Sequence, residues 1–176
     1  MPEASSINLA DIQANVVRGY SARQARHFAL RVDSPSTGAS LLRDLLSGRD
    51  SPWPTVTSAD AWQQADGLKP QCCLTVGITS SGLAALGVPP AVLSLFPKRF
   101  LEGPAAPSEV VKRLGDDGPS DPARWVLGAP NGPAVHVLLS LYTHSEEPSF
   151  INDKSAQLVG LIEDRKSTRL NSSHSS

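Results

Sequence analysis

The alternation of apolar and polar positions divides the chain into short segments of two kinds. From His27 to Asp33, Phe28, Leu30 and Val32 share one face while His27, Ala29 and Arg31 share the other, the period-two pattern of a half-buried strand. Ser34 and Pro35 then supply a helix start. Leu42, Leu45 and Leu46 form one stripe of a helix that runs to about Ser47, and Gly48 stops it. Cys72 to Ile78 barely alternates, which predicts a second strand buried on both faces. Alternation returns from Val135 to Thr143, with Val135, Val137, Leu139 and Leu141 on one face and His136, Leu138, Ser140 and Tyr142 on the other. Phe150 to Glu163 has the spacing of a last amphipathic helix.

Shorter helices are expected between these elements. Asp11 to Arg18 offers Ile12, Val16 and Val17 for packing before Gly19. Thr79 or Ser80 can cap Gly82 to Leu86, which ends at Gly87 before Pro89 and Pro90. Further short helices are predicted over Ala91–Leu95, Pro97–Leu101 and Ser108–Leu114, and one about Ala59–Ala65 within the loop-rich stretch Arg49–Pro70. Gly115 to Pro133 reads as a long loop. Strand, helix, strand, several helices, strand, helix is the order of an α+β domain around one sheet. A ferredoxin-like arrangement needs one more strand after the last helix. Only a polar, serine-rich tail stands there, so the expected fold is truncated before its last strand.

Length and composition narrow the class. The 176 residues suffice for one domain with a useful core, and 40% hydrophobic against 19% charged residues is globular composition. A net charge of -1 gives no electrostatic footprint for nucleic acid or an anionic membrane. No apolar run is long enough to span a bilayer, and Met1 to Asn8 lacks the pattern of a secretory signal, so a cytoplasmic location is expected. Cys72 and Cys73 are adjacent, and neighbouring strand residues point to opposite faces. Two reduced cysteines are therefore expected, at least one of them filling core space.

No catalytic, cofactor-binding or metal-binding residue is assigned from the sequence. A Gly-x-Ser-x-Gly elbow, a Gly-x-x-x-x-Gly-Lys loop and a Gly-x-Gly-x-x-Gly fingerprint after a strand are all missing. Asp116 and Asp117 are adjacent rather than convergent, a poor acid/base pair. His27 and His144 are read as solvent-facing, His136 as a satisfied strand histidine and His174 as part of the tail. Trp53 and Trp62 are expected to pack against the fold.

Several segments, in this order, resemble the N-terminal domain of the dye-decolourising (DyP-type) haem peroxidases. Asp11-Ile-Gln-Ala-Asn-Val-Val-Arg-Gly-Tyr20 is similar to the family's opening pattern, with Ala14 where glycine is usual. The strand Arg26–Asp33 with its Leu-rich helix follows, then Leu74-Thr-Val-Gly-Ile-Thr79 leading into Gly82-Leu-Ala-Ala-Leu-Gly-Val-Pro89. Phe96-Pro97 to Phe100-Leu-Glu-Gly103, Leu114-Gly-Asp116, Trp125 and Val135-His-Val-Leu-Leu-Ser-Leu-Tyr142 complete the set, which covers roughly residues 7 to 163. The resemblance implies one ferredoxin-like half of a dimeric α+β barrel. It also implies a parent enzyme that binds haem b and uses hydrogen peroxide to oxidise dyes or phenolic compounds. The family's Gly-x-x-Asp-Gly aspartate, ligand histidine and distal arginine have no counterpart in this chain. Gly115-Asp116-Asp117-Gly118 is one residue too short for that motif and reads as a turn.

The domain reading is an N-terminal arm with a short helix over 1–24, a ferredoxin-like peroxidase domain over 25–163, and a disordered, non-native tail over 164–176. The tail's Lys166-Ser-Thr-Arg-Leu-Asn-Ser-Ser-His-Ser-Ser176 resembles translated adapter sequence. The expected function is that of an inactive fragment of such a peroxidase, with no cofactor of its own. The rival readings are a non-catalytic α+β module that binds a partner or ligand, and a deferrochelatase-like haem-handling protein. An open sheet edge and an exposed apolar face invite homo-oligomers.

Overall fold

A computed structural model of the chain describes residues 7–17, 19, 21–47, 51–61, 70–105, 108–165 and 168–171. Its strands are β1 (Gln24–Val32), β2 (Cys72–Ile78), β3 (Val137–Thr143) and β4 (Thr168–Asn171). The helices are α1 (Ala14–Val17), α2 (Pro35–Ser47), α3 (Ser80–Ala85), α4 (Pro90–Leu93), α5 (Lys98–Glu102), α6 (Ser108–Leu114) and α7 (Pro148–Asp164). The sheet order is β2-β3-β1-β4, with every neighbouring pair antiparallel. This is the complete split βαβ arrangement of a ferredoxin-like domain.

The α+β class therefore stands, while truncation before the last strand is corrected. β4 pairs Thr168 to Asn171 with Val32 to Ala29 of β1. Edge pairing is made by backbone groups, so a short polar segment fills the position without the apolar alternation that marks a buried strand. The tail expected to lack structure thus contributes a strand, and residues 172–176 lie outside the described residues.

One face of the sheet holds the core. Phe28, Leu30 and Val32 of β1, Leu74 of β2, and Val137, Leu139 and Leu141 of β3 are buried there against Leu41 and Leu45 of α2. From α7 come Ile151, Leu158, Leu161 and Ile162, spaced to put one stripe onto the sheet. Register sets this layer: Leu74 lies opposite Leu141, Leu139 opposite both Val76 and Phe28, and Leu30 opposite Val137. At the ends of the two helices, Arg165 donates from Nε and Nη2 to Asp44 Oδ2, at 3.1 and 2.7 Å.

The opposite face is built differently. Ala25, His27, Ala29, Thr75, Gly77, Leu138, Ser140 and Tyr142 lie on it, and Ala25, His27, Gly77 and Leu138 are exposed. The expectation that β2 is buried on both faces is correct for Cys73 to Thr75 and fails at Gly77. The N-terminal arm accounts for the buried end of this face, where Ala14 packs on Cys73 beside Tyr142.

Gln13 breaks the helix expected over Asp11–Arg18, leaving a short 3-10 turn at Leu9–Asp11 and the four residues of α1. Its side-chain amide accepts from Val76 N–H at 2.7 Å and donates to Val76 C=O at 2.9 Å, closing the edge of β2. The remaining boundaries move by a few residues. β1 starts three residues earlier than expected, α7 starts at Pro148, β3 starts at Val137, and the 115–133 loop contains two 3-10 turns. The helix expected about Ala59–Ala65 falls mostly outside the described residues.

Candidate functional site

Two regions gather polar side chains. The first is the uncovered face of the sheet. His27 on β1 and Ser140 on β3 are register partners, and Nδ1 of the one lies 2.9 Å from Oγ of the other. Tyr142 meets the His27 ring edge-on at 6.0 Å. Ser140 is buried beneath this group while His27 is exposed, as read from the sequence. The face offers small side chains, one exposed leucine and an imidazole, on a flat surface.

The second region is a cavity of about 910 Å³ between the N-terminal arm, the 51–61 loop and β2. Asp11, Trp53, Asp60, Cys72 and Lys154 are among its lining residues. Ser58 Oγ donates to the Asp60 carboxylate in a short hydrogen bond. The Cys72 thiol is pushed up to about 11 by burial, then by the neighbouring Cys73, with Lys154 pulling the other way. It is a neutral thiol at physiological pH and a poor nucleophile. Neither cysteine is in a disulfide, and their positions on opposite faces of β2 match the sequence reading.

The remaining residues weighed from the sequence have structural explanations. His136 Nδ1 accepts from Val32 N–H at 3.0 Å, which places the neutral ring's proton on Nε2. Its backbone N–H donates to Leu30 C=O and its own C=O accepts from Thr79 N–H, so His136 ties the end of β1 to the start of α3. His144 is half-buried just beyond β3. Trp53 packs against the core and donates from Nε1 to Asp44 C=O at 3.4 Å. Trp125 is half-exposed and donates to Ser120 C=O at 2.8 Å. Gly115 and Gly118 both have positive φ, as a Gly/Asp turn requires. Trp62 and His174 lie outside the described residues.

Haem needs an axial ligand inside an apolar slot, with the ligand's second nitrogen held by a partner. Among the described residues no three His, Cys, Asp or Glu side chains converge as a metal site. The one exposed ring with an anchored nitrogen, His27, stands on an open sheet face rather than in a slot. The described residues do not by themselves form such a pocket.

Ferredoxin-like topology with one face sealed and one left open defines the class of domain. No family model matches the sequence, and no curated protein does. Solved structures do. A fungal DyP-type peroxidase from Auricularia auricula-judae superposes with a TM-score of 0.67 at 20% identity, over 96% of this chain and 33% of the peroxidase. The DyP-type enzyme of Anabaena sp. gives 0.66 at 16% identity, over 92% and 33%. A dye-decolorizing peroxidase in complex with 2,6-dimethoxyphenol gives 0.65 at 18%, over 97% and 35%. The chain has the fold of part of a DyP-type peroxidase and spans about a third of the length of the structures it matches. Among the described residues no helix is long and apolar enough to cross a membrane.

Proposed function

We propose that this chain is the N-terminal ferredoxin-like part of a haem-dependent dye-decolourising peroxidase, one that uses hydrogen peroxide to oxidise dyes or phenolic compounds. The observation that carries the reading is the fold match over nearly the whole chain to one third of several such enzymes. The uncovered sheet face supports it, because small and half-polar side chains there suit a surface that packs against a further domain. In this reading the haem ligand and the acid/base groups belong to the rest of the parent, and this chain supplies scaffold. Two cysteines outside any disulfide suit a reducing compartment, and the cytoplasm is the location we propose.

The test is a titration of the purified chain with hemin, followed by peroxide and a phenolic reductant. The expected result is no stoichiometric Soret band and no turnover. A sharp Soret band with turnover would falsify the claim that catalysis needs the rest of the parent. We also propose that the residues from about Asp164 onward are foreign to the natural gene, on the composition of their serine-rich run, with β4 taking the sheet edge through backbone pairing alone. Sequencing the source DNA through that codon decides this, and an uninterrupted native frame carrying the same tail overturns it.

A further inference from the structure

A second cavity, of about 670 Å³, lies at the far end of β2, away from both regions described above. Ile78, Phe100, Val110 and Leu114 give it apolar walls, and Arg99 and Arg113 are its charged lining residues. Its volume falls in the range of small-molecule sites, which are apolar with a few placed polar groups. Which polar groups remain for a ligand follows from the hydrogen bonds. Thr79 Oγ1 is committed to Gly82 N–H at 2.9 Å and to Val135 C=O at 2.8 Å. Ser80 Oγ donates to Leu101 C=O at 3.1 Å, tying the start of α3 to α5. The hydroxyls are therefore spent on the fold.

The guanidinium groups are committed less fully: Arg99 shares a carboxylate, and among the described residues Arg113 has none. Glu102 serves both Lys98, at 3.4 Å, and Arg99, at 3.5 Å, so one carboxylate answers two cations over long distances. Arg113 has no carboxylate within 4.0 Å among the described residues. An apolar cavity whose spare polar groups are two under-compensated arginines suits a ligand with a compact apolar body and one carboxylate, which guanidinium binds in bidentate fashion. We propose that this cavity binds an amphipathic carboxylate of that kind, with Phe100 and Leu114 against its body and Arg99 and Arg113 at its charged end. The proposal does not depend on the peroxidase reading.

The probe is 2-naphthoate, compared with 2-naphthalenemethanol, which keeps the ring and lacks the charge. Each is titrated into the full 176-residue chain by calorimetry. Saturable one-to-one binding of naphthoate is expected, with the alcohol weaker by about tenfold or more, since charge-assisted hydrogen bonds are roughly twice as strong as neutral ones. Arg113→Met and Arg99→Met should each weaken naphthoate about tenfold while leaving the alcohol unchanged, and Arg113→Lys should recover part of the loss. Arg113 is exposed, so these variants should fold, and the comparison of the two probes needs no variant at all. Equal binding of both probes, unchanged binding in the arginine variants, or no saturable binding overturns the proposal. So does concentration-dependent dimerisation abolished by Phe100→Ala, which would assign the cavity to a second copy of the chain.

Discussion

Replacing Gly82 with alanine should destabilise the protein, although the same change inside an exposed helix ordinarily stabilises it. Gly82 sits in the first turn of α3, where its N–H donates to Thr79 Oγ1. A Cβ there would overlap the His136 carbonyl oxygen and stand 2.7 Å from its carbonyl carbon and 3.0 Å from its Cα. Carbon–carbon contacts are comfortable at about 3.5–4.0 Å, so backbone has to retreat by roughly 1 Å. The backbone in question is not free to move. His136 C=O accepts from Thr79 N–H at 3.0 Å, its N–H donates to Leu30 C=O at 2.8 Å, and its Nδ1 accepts from Val32 N–H at 3.0 Å. Overpacking costs about 1–3 kcal/mol. Losing one or two of those hydrogen bonds adds about 1 kcal/mol each. The gain in helix propensity returns at most about 1 kcal/mol. A net loss of about 1–4 kcal/mol follows, against which Gly160→Ala in α7 is the control. A Cβ at Gly160 meets nothing within 4 Å, so that variant should gain about 0.5–1 kcal/mol. Urea unfolding monitored by tryptophan fluorescence measures both, with equal m-values as the check that the two-state comparison holds. A Gly82→Ala chain as stable as the parent would refute the reasoning, because α3 would then not be seated on the His136 backbone.

Gln13→Ala should cost about 1–2 kcal/mol by urea unfolding, since two hydrogen bonds to Val76 are lost and an edge is uncovered. Gln13→Glu should cost at least as much at pH 7, because a carboxylate cannot donate to the Val76 carbonyl. Asp44→Asn should cost under about 1 kcal/mol, less at high salt, because the pair with Arg165 is partly exposed. Cys72 makes stability depend on alkaline pH. Its folded value of about 11 lies above the ordinary 9.0, so the unfolded chain releases this proton first and stability falls as pH rises from 9 towards 11. Cys72→Ala should flatten that slope, and an unchanged slope would assign it to another group.

Much of this architecture was legible because one face of the sheet is sealed by residues whose spacing declares it. Phe28, Leu30 and Val32 alternate along β1, Leu139 and Leu141 along β3, and the apolar stripe of α7 matches them. What the sequence concealed falls into two kinds. β4 is held by backbone pairing at an edge, which leaves no side-chain pattern to read. Gln13 reads as a helix residue, because nothing local reveals that its amide will close the edge of β2 sixty-three residues away. The Arg99–Arg113 cavity was likewise invisible, since helices α5 and α6 meet only in three dimensions. Gly82 did carry a signal: a glycine among small residues just after a cap marks close approach of backbone to backbone.

The two faces of the sheet also differ in what they leave for a packing partner, and on the proposed reading that partner is the rest of the parent. On the α2–α7 side the core positions are filled mainly by Leu, Ile, Val and Phe, and the buried Thr143 and Ser155 hydroxyls donate to the Gln71 and Ile151 carbonyls. On the other side Ala14 of the N-terminal arm covers Cys73, while Ala25, His27, Gly77 and Leu138 are left exposed. At Leu138, 39% exposed near the start of β3, this face presents the kind of apolar surface that a packing partner would cover. His27 stands within that surface with one ring nitrogen anchored on Ser140 and the ring braced edge-on by Tyr142. Anything that packs on this face must therefore meet an oriented imidazole. Substituting Leu138→Lys should leave the isolated chain within about 0.5 kcal/mol of its parent in urea unfolding, since an exposed site tolerates the charge. The same change should block recombination with a separately expressed remainder of the parent, read by co-elution. Undiminished co-elution would mean that the open face is not the surface by which this domain joins the rest.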